Sequence, residues 1–436
     1  MSPAQDASLR RLQRDSFSYF VNKTNPANGL VIDKSHEGWP ASIAAVGLAL
    51  SAYPIGVECG FMSREQAVRR TLATLKFFDS AAHGPQANAT GHKGFYYHFL
   101  DMQSGARAWE SELSSIDSAL LFAGMLAAAA YFQEDAADET QIRKLADALY
   151  RKADWDWMRN GKPTVSHGWT PESGFLPYSW KGYDEALILY LLGLGSPTHP
   201  LPEESYGAWC ESYKWKRIYD IDYLYAGPLF IHQLSHVWVD FRGIRDACMR
   251  ERDLDYFENS RRATLVQQQY AIHNPMGFAH YDRHTWGITA SDGPGPKTTM
   301  VDGVERVFYD YLARGAPYGP DDGTLAPWAV VASLPFAPEI VLPTLDNYER
   351  MHLNEAQEYG YKATFNPTFP VTPEHEFGWV SKYHFGLNQG PIVAMIENHR
   401  SGLLWSLMRQ CPYLVTGLRR AGFSGGWLED GAVSQP

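Results

Sequence analysis

Between Trp169 and Tyr190 the chain reads WTPESGFLPYSWKGYDEALILY, which sets an adjacent acidic pair, Asp184 and Glu185, among the rings of Trp169, Phe175, Tyr178, Trp180, Tyr183 and Tyr190. A carboxyl group among apolar rings loses the hydration of its charged form, so its pKa climbs toward the range where it can donate a proton near neutral pH. Flat rings also offer the apolar surface on which sugar faces stack. Together these residue types predict acid–base chemistry on a carbohydrate, with Glu185 as the proton donor. Pro171, Gly174, Pro177 and Gly182 interrupt regular structure ahead of the pair. The apolar run from Ala186 predicts a helix, which places Asp184 and Glu185 in its first turn. Unpaired N–H groups and the macrodipole favour acidic side chains there, so a purely structural helix-start role is the competing reading.

A second carboxylate is needed to activate water, and WESELSSIDSALLFAG (109–124) supplies Asp117. An Asp within an apolar helix is costly to bury without a partner or water, so a cleft-facing role follows. If the helix runs over 112–132, Glu112 lies about 500° round from Asp117, about 140° net, and the two do not easily share one cleft. Glu112 is therefore the reserve catalytic candidate. His167, Trp169, Tyr178, Trp180, Trp286, Asp292 and Arg400 are the candidates for sugar contacts, the rings for stacking and the polar groups for hydroxyl hydrogen bonds.

Elements must hold these residues in place. Helical periodicity predicts segments at 6–22, 41–53, 63–79, 112–132, 139–158, 184–194, 203–213, 243–272, 301–313, 336–353 and 390–409. Long Gly, Pro and aromatic loops separate them, notably 84–102, 161–182, 274–297 and 360–390. The expected fold is all-α, with paired helices in a ring and the long loops gathered over one mouth. With no Ser/Gly linker and no exact repeat, one catalytic domain over 1–436 is the simplest organisation.

Aromatic residues make up 14% of the chain, more than core packing requires, which suits a ring-lined groove. A net charge of −11 without a basic run argues against nucleic acid. Cys59, Cys210, Cys248 and Cys411 show no CxxC spacing; buried thiols are expected, and disulfides stay open if the protein is exported. The most apolar run, 119–132, is too short to span a bilayer. The N-terminus MSPAQDASLRRLQ shows no export signal, so the location is periplasmic or secreted if a signal was removed, and otherwise cytoplasmic. His232 and His236 have the i, i+4 spacing of metal ligands without the Glu of an HExxH motif, and Asp321-Asp322-Gly323 lacks the later ligands of a calcium loop. No metal and no cofactor are expected.

GYDEALILYLLGLGSPTHPLPEESYGAW (182–209), HVWVDFRGIRDACMRERDLDYFENSRRATLVQQQYAI (236–272), WGITASDGP (286–294), LPFAPEI (334–340) and QGPIVAMIENHRSGLLW (389–405) resemble the glycoamylase-like family of bacterial glycoside hydrolases. Characterised members of that family include inverting endo-β-1,2-glucanases and the related domain of cyclic β-1,2-glucan synthases. The likeness runs from about Asp15 to Trp427. It implies an (α/α)6 toroid with a large cleft and paired-carboxylate hydrolysis of β-1,2-glucan or related β-linked gluco-oligosaccharides. Glu185 matches an acidic position of the family, and the segment around Asp117 is also similar. Asn388 and Ala363 stand where relatives commonly carry Asp. Two alternatives follow, a carbohydrate-binding protein with weakened catalysis and a transglycosylase on β-1,2-glucan.

Overall fold

The computed structural model describes residues 2–354, 358–371 and 375–430. These form α1 (Pro3–Asn22), α2 (Ile43–Glu58), α3 (Arg64–Ser80), α4 (Ser115–Tyr131), α5 (Ala137–Arg151), α6 (Trp155–Met158), α7 (Leu187–Gly195) and α8 (Glu204–Cys210). The second half adds α9 (Ala247–Glu251), α10 (Tyr256–His273), α11 (Pro327–Ala332), α12 (Pro338–Arg350), α13 (Gly386–Arg400), α14 (Leu403–Met408), α15 (Pro412–Arg420) and α16 (Trp427–Asp430).

The helices sort into two layers by composition. In α2, α4, α7, α11 and α13 nearly every described residue is buried. A helix apolar all round must be covered on all sides. The cover comes from helices with one apolar stripe: α1 packs on α13, α3 and α5 flank α2 and α4, α12 covers α11, and α15 lies on α7. Within the inner layer α2 touches both α4 and α13, and α4 touches α7. The α2–α4 contact is made backbone to backbone. A Cβ on Gly47 would strike the Leu120 carbonyl, and one on Gly124 would strike the Gly47 carbonyl, so only glycine permits this approach.

The segments leading into α2, α4, α7 and α13 converge, with Trp39, Ser114, Glu185 and Phe385 lining one cavity. Ala41–Ser42 and Leu113–Ser114 are two-residue strands that run straight into α2 and α4, and Ser42 and Ser114 cap those helices by accepting from Ala45 N and Asp117 N. The loops here carry a small antiparallel sheet of Gly91–His92, Phe95–Tyr97, Leu113–Ser114, Gly168–Thr170 and Gly174–Phe175. Its register pairs Tyr96 with Ser114, Leu113 with Trp169 and Trp169 with Phe175.

Several elements differ from the sequence expectation. Residues 301–313 are not helical: Lys297–Val301 and Val304–Phe308 form a hairpin around Asp302 and Gly303, both with positive φ, and Leu312–Ala313 is a further strand. Asp-Gly between alternating residues is a hairpin signal that outweighs a loose helical period. The segment expected at 243–272 breaks into α9 and α10, each with its own Asp cap, Asp246 and Asp255. Helix 390–409 divides at Gly402, φ 70°, into α13 and α14. The four cysteines are free thiols. Among the described residues no helix is long and apolar enough to cross a membrane.

Candidate active site

The loops that precede the inner helices enclose a cleft of roughly 660 Å³. Glu185 reaches it from the turn just ahead of α7, which begins at Leu187, so the acidic pair precedes the helix and does not occupy its first turn. Adjacent residues in that turn point apart. The Asp184 carboxylate is drawn into the wall, where Oδ1 accepts from Trp209 Nε1 at 3.0 Å and Ala186 N at 3.0 Å. Glu185 lines the cleft. Burial, then the charges of Asp184 and Asp117, push the Glu185 carboxyl up to about 8 from an ordinary 4.5. It is therefore a protonated acid at neutral pH.

Asp117 sits in the first turn of α4, where Oδ2 accepts from Ser114 Oγ at 2.5 Å. Glu112 shares the same cleft, contrary to the helical-wheel argument. That argument required one helix through both residues, but α4 starts at Ser115 and Glu112 lies on the extended lead-in. The group that joins them is His98, which belongs to no recognisable sequence motif. Its Nδ1 is 2.9 Å from Glu112 Oε1 and its Nε2 is 3.7 Å from Asp117 Oδ1. The ring stacks on Phe99 with centroids 3.9 Å apart. Burial alone would pull the His98 pKa down, but the carboxylates of Asp117, Glu112 and Asp33 outweigh it and hold it at about 9. His98 is thus an imidazolium between two acids. Glu112 in turn feels burial upward, yet His98 brings its pKa below the ordinary value.

Asp33 is a further cleft carboxylate missed in the sequence, raised to about 6 by burial, against the opposing pull of His98, Trp39 and Lys34. The donor atoms of His98, Glu112 and Asp117 lie within 4.8 Å of one another, a grouping that could hold a metal ion. It was not anticipated, since His98 and Glu112 come from loop positions without a ligand motif. The His232 and His236 pair, by contrast, is spent locally: His232 Nε2 meets the Ala226 carbonyl at 3.2 Å and His236 Nε2 meets Ser260 Oγ at 3.0 Å. Asp322 is paired with Arg314, and Asp321 accepts from Tyr270 and Tyr281.

Of the expected sugar contacts, His167, Trp180 and Asp292 line the cleft. His167 stacks on Trp180 at 3.9 Å, and Trp180 Nε1 donates to Ser115 Oγ at 3.0 Å. Burial keeps the His167 pKa below its usual value. Asp292 accepts from Ser381 Oγ at 2.9 Å, and burial raises its pKa. Four residues are not brought there. Trp286 is fully buried in the core, its Nε1 donating to Thr344 Oγ1 at 2.9 Å. Arg400 pairs with Asp6 beside a separate pocket lined by Cys59 and Glu397. Trp169 packs half-buried against His92 and Trp157, and Tyr178 is exposed outside the cleft with its ring 6.0 Å from that of His167. A ring in a loop can pack inward as readily as outward, and sequence carries no sign of which. Ala363 and Asn388 are both buried and neither lines the cleft.

The sequence profile of the Glycoamylase family, described as "Putative glucoamylase", matches residues 177–412. An exo β-1,2-glucooligosaccharide sophorohydrolase (non-reducing end) of Parabacteroides distasonis is 28% identical over 451 residues, which cover 94% of this chain and 57% of that protein. The chain thus spans little more than half the length of this relative. Among solved structures, a Bacteroides uniformis protein carrying the same description as the family is similar at 31% identity and TM-score 0.86, covering 98% of this chain and all of the other. The endo-β-1,2-glucanase of Chitinophaga pinensis, solved with sophorotriose and glucose, is similar at 26% identity and TM-score 0.82, with 98% and 100% covered.

Proposed function

Because the chain belongs to the Glycoamylase family, we propose that it is an inverting glycoside hydrolase cleaving β-1,2-glucan or a related β-linked gluco-oligosaccharide, built as a single (α/α)6 ring. The named activities of the Parabacteroides and Chitinophaga relatives support the linkage. The observation that carries the reading is the Glu185 carboxyl, held protonated to about 8 in a cleft that also contains Asp117 and the imidazolium of His98.

In this mechanism Glu185 donates its proton to the glycosidic oxygen as the C–O bond breaks. Asp117 takes a proton from the water that attacks C1 on the opposite face, so the anomeric configuration inverts. Ser114 Oγ–H and His98 hold the two oxygens of Asp117 from different sides, which fixes the direction in which the carboxylate accepts. Glu112, bound to the other nitrogen of His98, is the alternative base. Proton balance is restored through cleft water: Glu185 is reprotonated and Asp117 releases its proton.

The test is an assay of the purified protein on β-1,2-, β-1,3-, β-1,4- and β-1,6-linked glucans, with products resolved by size and the nascent anomer followed by proton NMR. The expected result is β-1,2-glucan cleavage with the α-anomer appearing first. A β-anomer would replace inversion by retention, and no release by folded protein on any glucan would remove the hydrolase reading.

A further inference from the structure

Two exposed rings line the cleft from unrelated loops, and each is held out by a buried arginine. Trp109 is 55% exposed and Tyr311 60% exposed, yet both belong to the cleft wall. A single exposed ring needs no explanation. The backbone beneath these two does.

Trp109 and its neighbour Glu110 are both left-handed, with φ 55° and 51°. Side-chain crowding makes that conformation unfavourable for non-glycine residues, so it persists only where surrounding contacts enforce it. Arg107 does so from below. Its side chain is 2% exposed; Nε donates to the Ser111 carbonyl at 2.5 Å and Nη2 to the Glu110 carbonyl at 2.6 Å. The Glu172 carboxylate takes the same guanidinium at 2.7 and 3.1 Å, and its plane lies over the Tyr97 ring. Trp109 leans on the rings of Trp39 and Phe99, 4.7 and 5.1 Å away between centroids.

Tyr311 follows a second clamp. Arg314 and Asp322 form an ion pair with both side chains fully buried, at 2.7 and 2.8 Å. The remaining guanidinium donors hold the carbonyls of Ser291, Tyr309 and Asp310 at 2.8, 3.1 and 3.0 Å, and Asp322 Oδ2 accepts from Tyr309 N at 2.9 Å. The chain is thereby fixed just before Tyr311 projects. A planar fork that grips several backbone carbonyls is a use that lysine cannot serve.

We propose that Trp109 and Tyr311 are the ring platforms that hold sugar units of the substrate, and that Arg107 and Arg314 are the positioning residues that keep them presented. The inference rests on the glucan-hydrolase reading. Trp109 carries no acid–base group, and burial together with the charges of Asp33, Glu185 and Asp117 pushes the Tyr311 phenol up to about 12, so each ring is assigned to binding and not to the bond-breaking step.

The test uses whichever β-linked glucan the full chain cleaves. Trp109→Ala and Tyr311→Ala should each raise KM by about tenfold, equivalent to about 1.4 kcal/mol, while kcat changes little. Trp109→Phe and Tyr311→Phe, which keep a flat face, should recover most of the loss. Arg107→Met should reproduce the KM of Trp109→Ala, and the double variant should add nothing further, because both changes remove one platform; Arg107→Lys serves the same comparison if the Met variant does not fold. A chain that cleaves no glucan overturns the hydrolase reading and the platforms with it. Cleavage that Glu185→Gln abolishes, with wild-type KM in both alanine variants, overturns the platforms alone.

Discussion

Replacing Glu185 by Gln keeps the shape of the side chain and removes the transferable proton, and the structure gives two magnitudes for the result. With its pKa at about 8 the folded Glu185 is about 90% protonated at pH 7, whereas at the ordinary 4.5 it would be about 0.3% protonated. Burial and the neighbouring charges of Asp184 and Asp117 together multiply the competent acid by about 300 at pH 7. Loss of a general acid costs about 10²–10⁴ in turnover, so kcat on the cleaved glucan should fall by that factor in Glu185→Gln while substrate affinity, measured by calorimetry, changes little. The same burial weighs against the fold. Below pH 4.5 folded and unfolded chains both hold this proton; above it the unfolded chain ionises while the folded one does not, so stability falls as pH rises to about 8 and then levels. Each unit of that interval costs about 1.4 kcal/mol, giving at most about 3 kcal/mol at pH 7. Since Asp184 supplies part of the rise, Glu185→Gln should stabilise the protein by somewhat less than this, with a flatter profile of Tm against pH between 5 and 8. Denaturant melts at pH 5 and pH 7.5 measure it. A folded variant with near-normal kcat would refute Glu185 as the acid, and a variant whose stability keeps the wild-type pH dependence would refute the burial argument.

Asp117→Asn should lower kcat by about 10²–10⁴ with the fold intact by circular dichroism, since an amide cannot take a proton from water; unchanged turnover would move the base to Glu112. Trp286→Ala should cost about 3–5 kcal/mol in chemical denaturation, because the ring fills the core and its N–H holds Thr344. Arg400→Ala should leave KM for the glucan unchanged, as the residue sits at a separate pocket; a raised KM would return it to the substrate path. Dialysis against EDTA should leave turnover intact, because His98 is already engaged by Glu112 and Asp117; activity lost to the chelator and restored by zinc would make that trio a metal site.

The parts legible in the sequence were those with a local signature. A ring-rich, Gly/Pro-punctuated stretch ending in an apolar run placed Glu185 at a loop-to-helix boundary, and the run itself is the buried α7. Asp117 stood out as a charge in an apolar helix. For Glu112 the helix begins three residues later than its periodicity predicts, because the two-residue strand before α4 is too short to show a period of its own. His98 and Asp33 had no motif at all. His98 reaches Glu112 through the pairing that joins Tyr97 to Leu113, a partnership between loops that only the folded register creates. Trp286 shows the converse failure: its indole is fully buried, but a core indole and a stacking indole read the same in sequence.

The two-residue strands ahead of α2 and α4, with their serine caps, divide labour along the chain. The bodies of the inner helices carry the packing, down to backbone contact at Gly47 and Gly124, while most residues that line the cleft lie in the stretches before those helices, and α4 adds Ile116, Asp117 and Leu120 from its first two turns. Such a partition lets mutation explore new substrates cheaply. A change in a lead-in segment alters what the cleft contacts without disturbing the helix behind it, whereas a change in a helix body is removed by selection for folding. Libraries aimed at altered linkage preference should therefore vary Lys34, Trp39, Phe99, Trp109 and Tyr311, and leave the proton-handling and clamping residues and the interiors of α2 and α4 untouched.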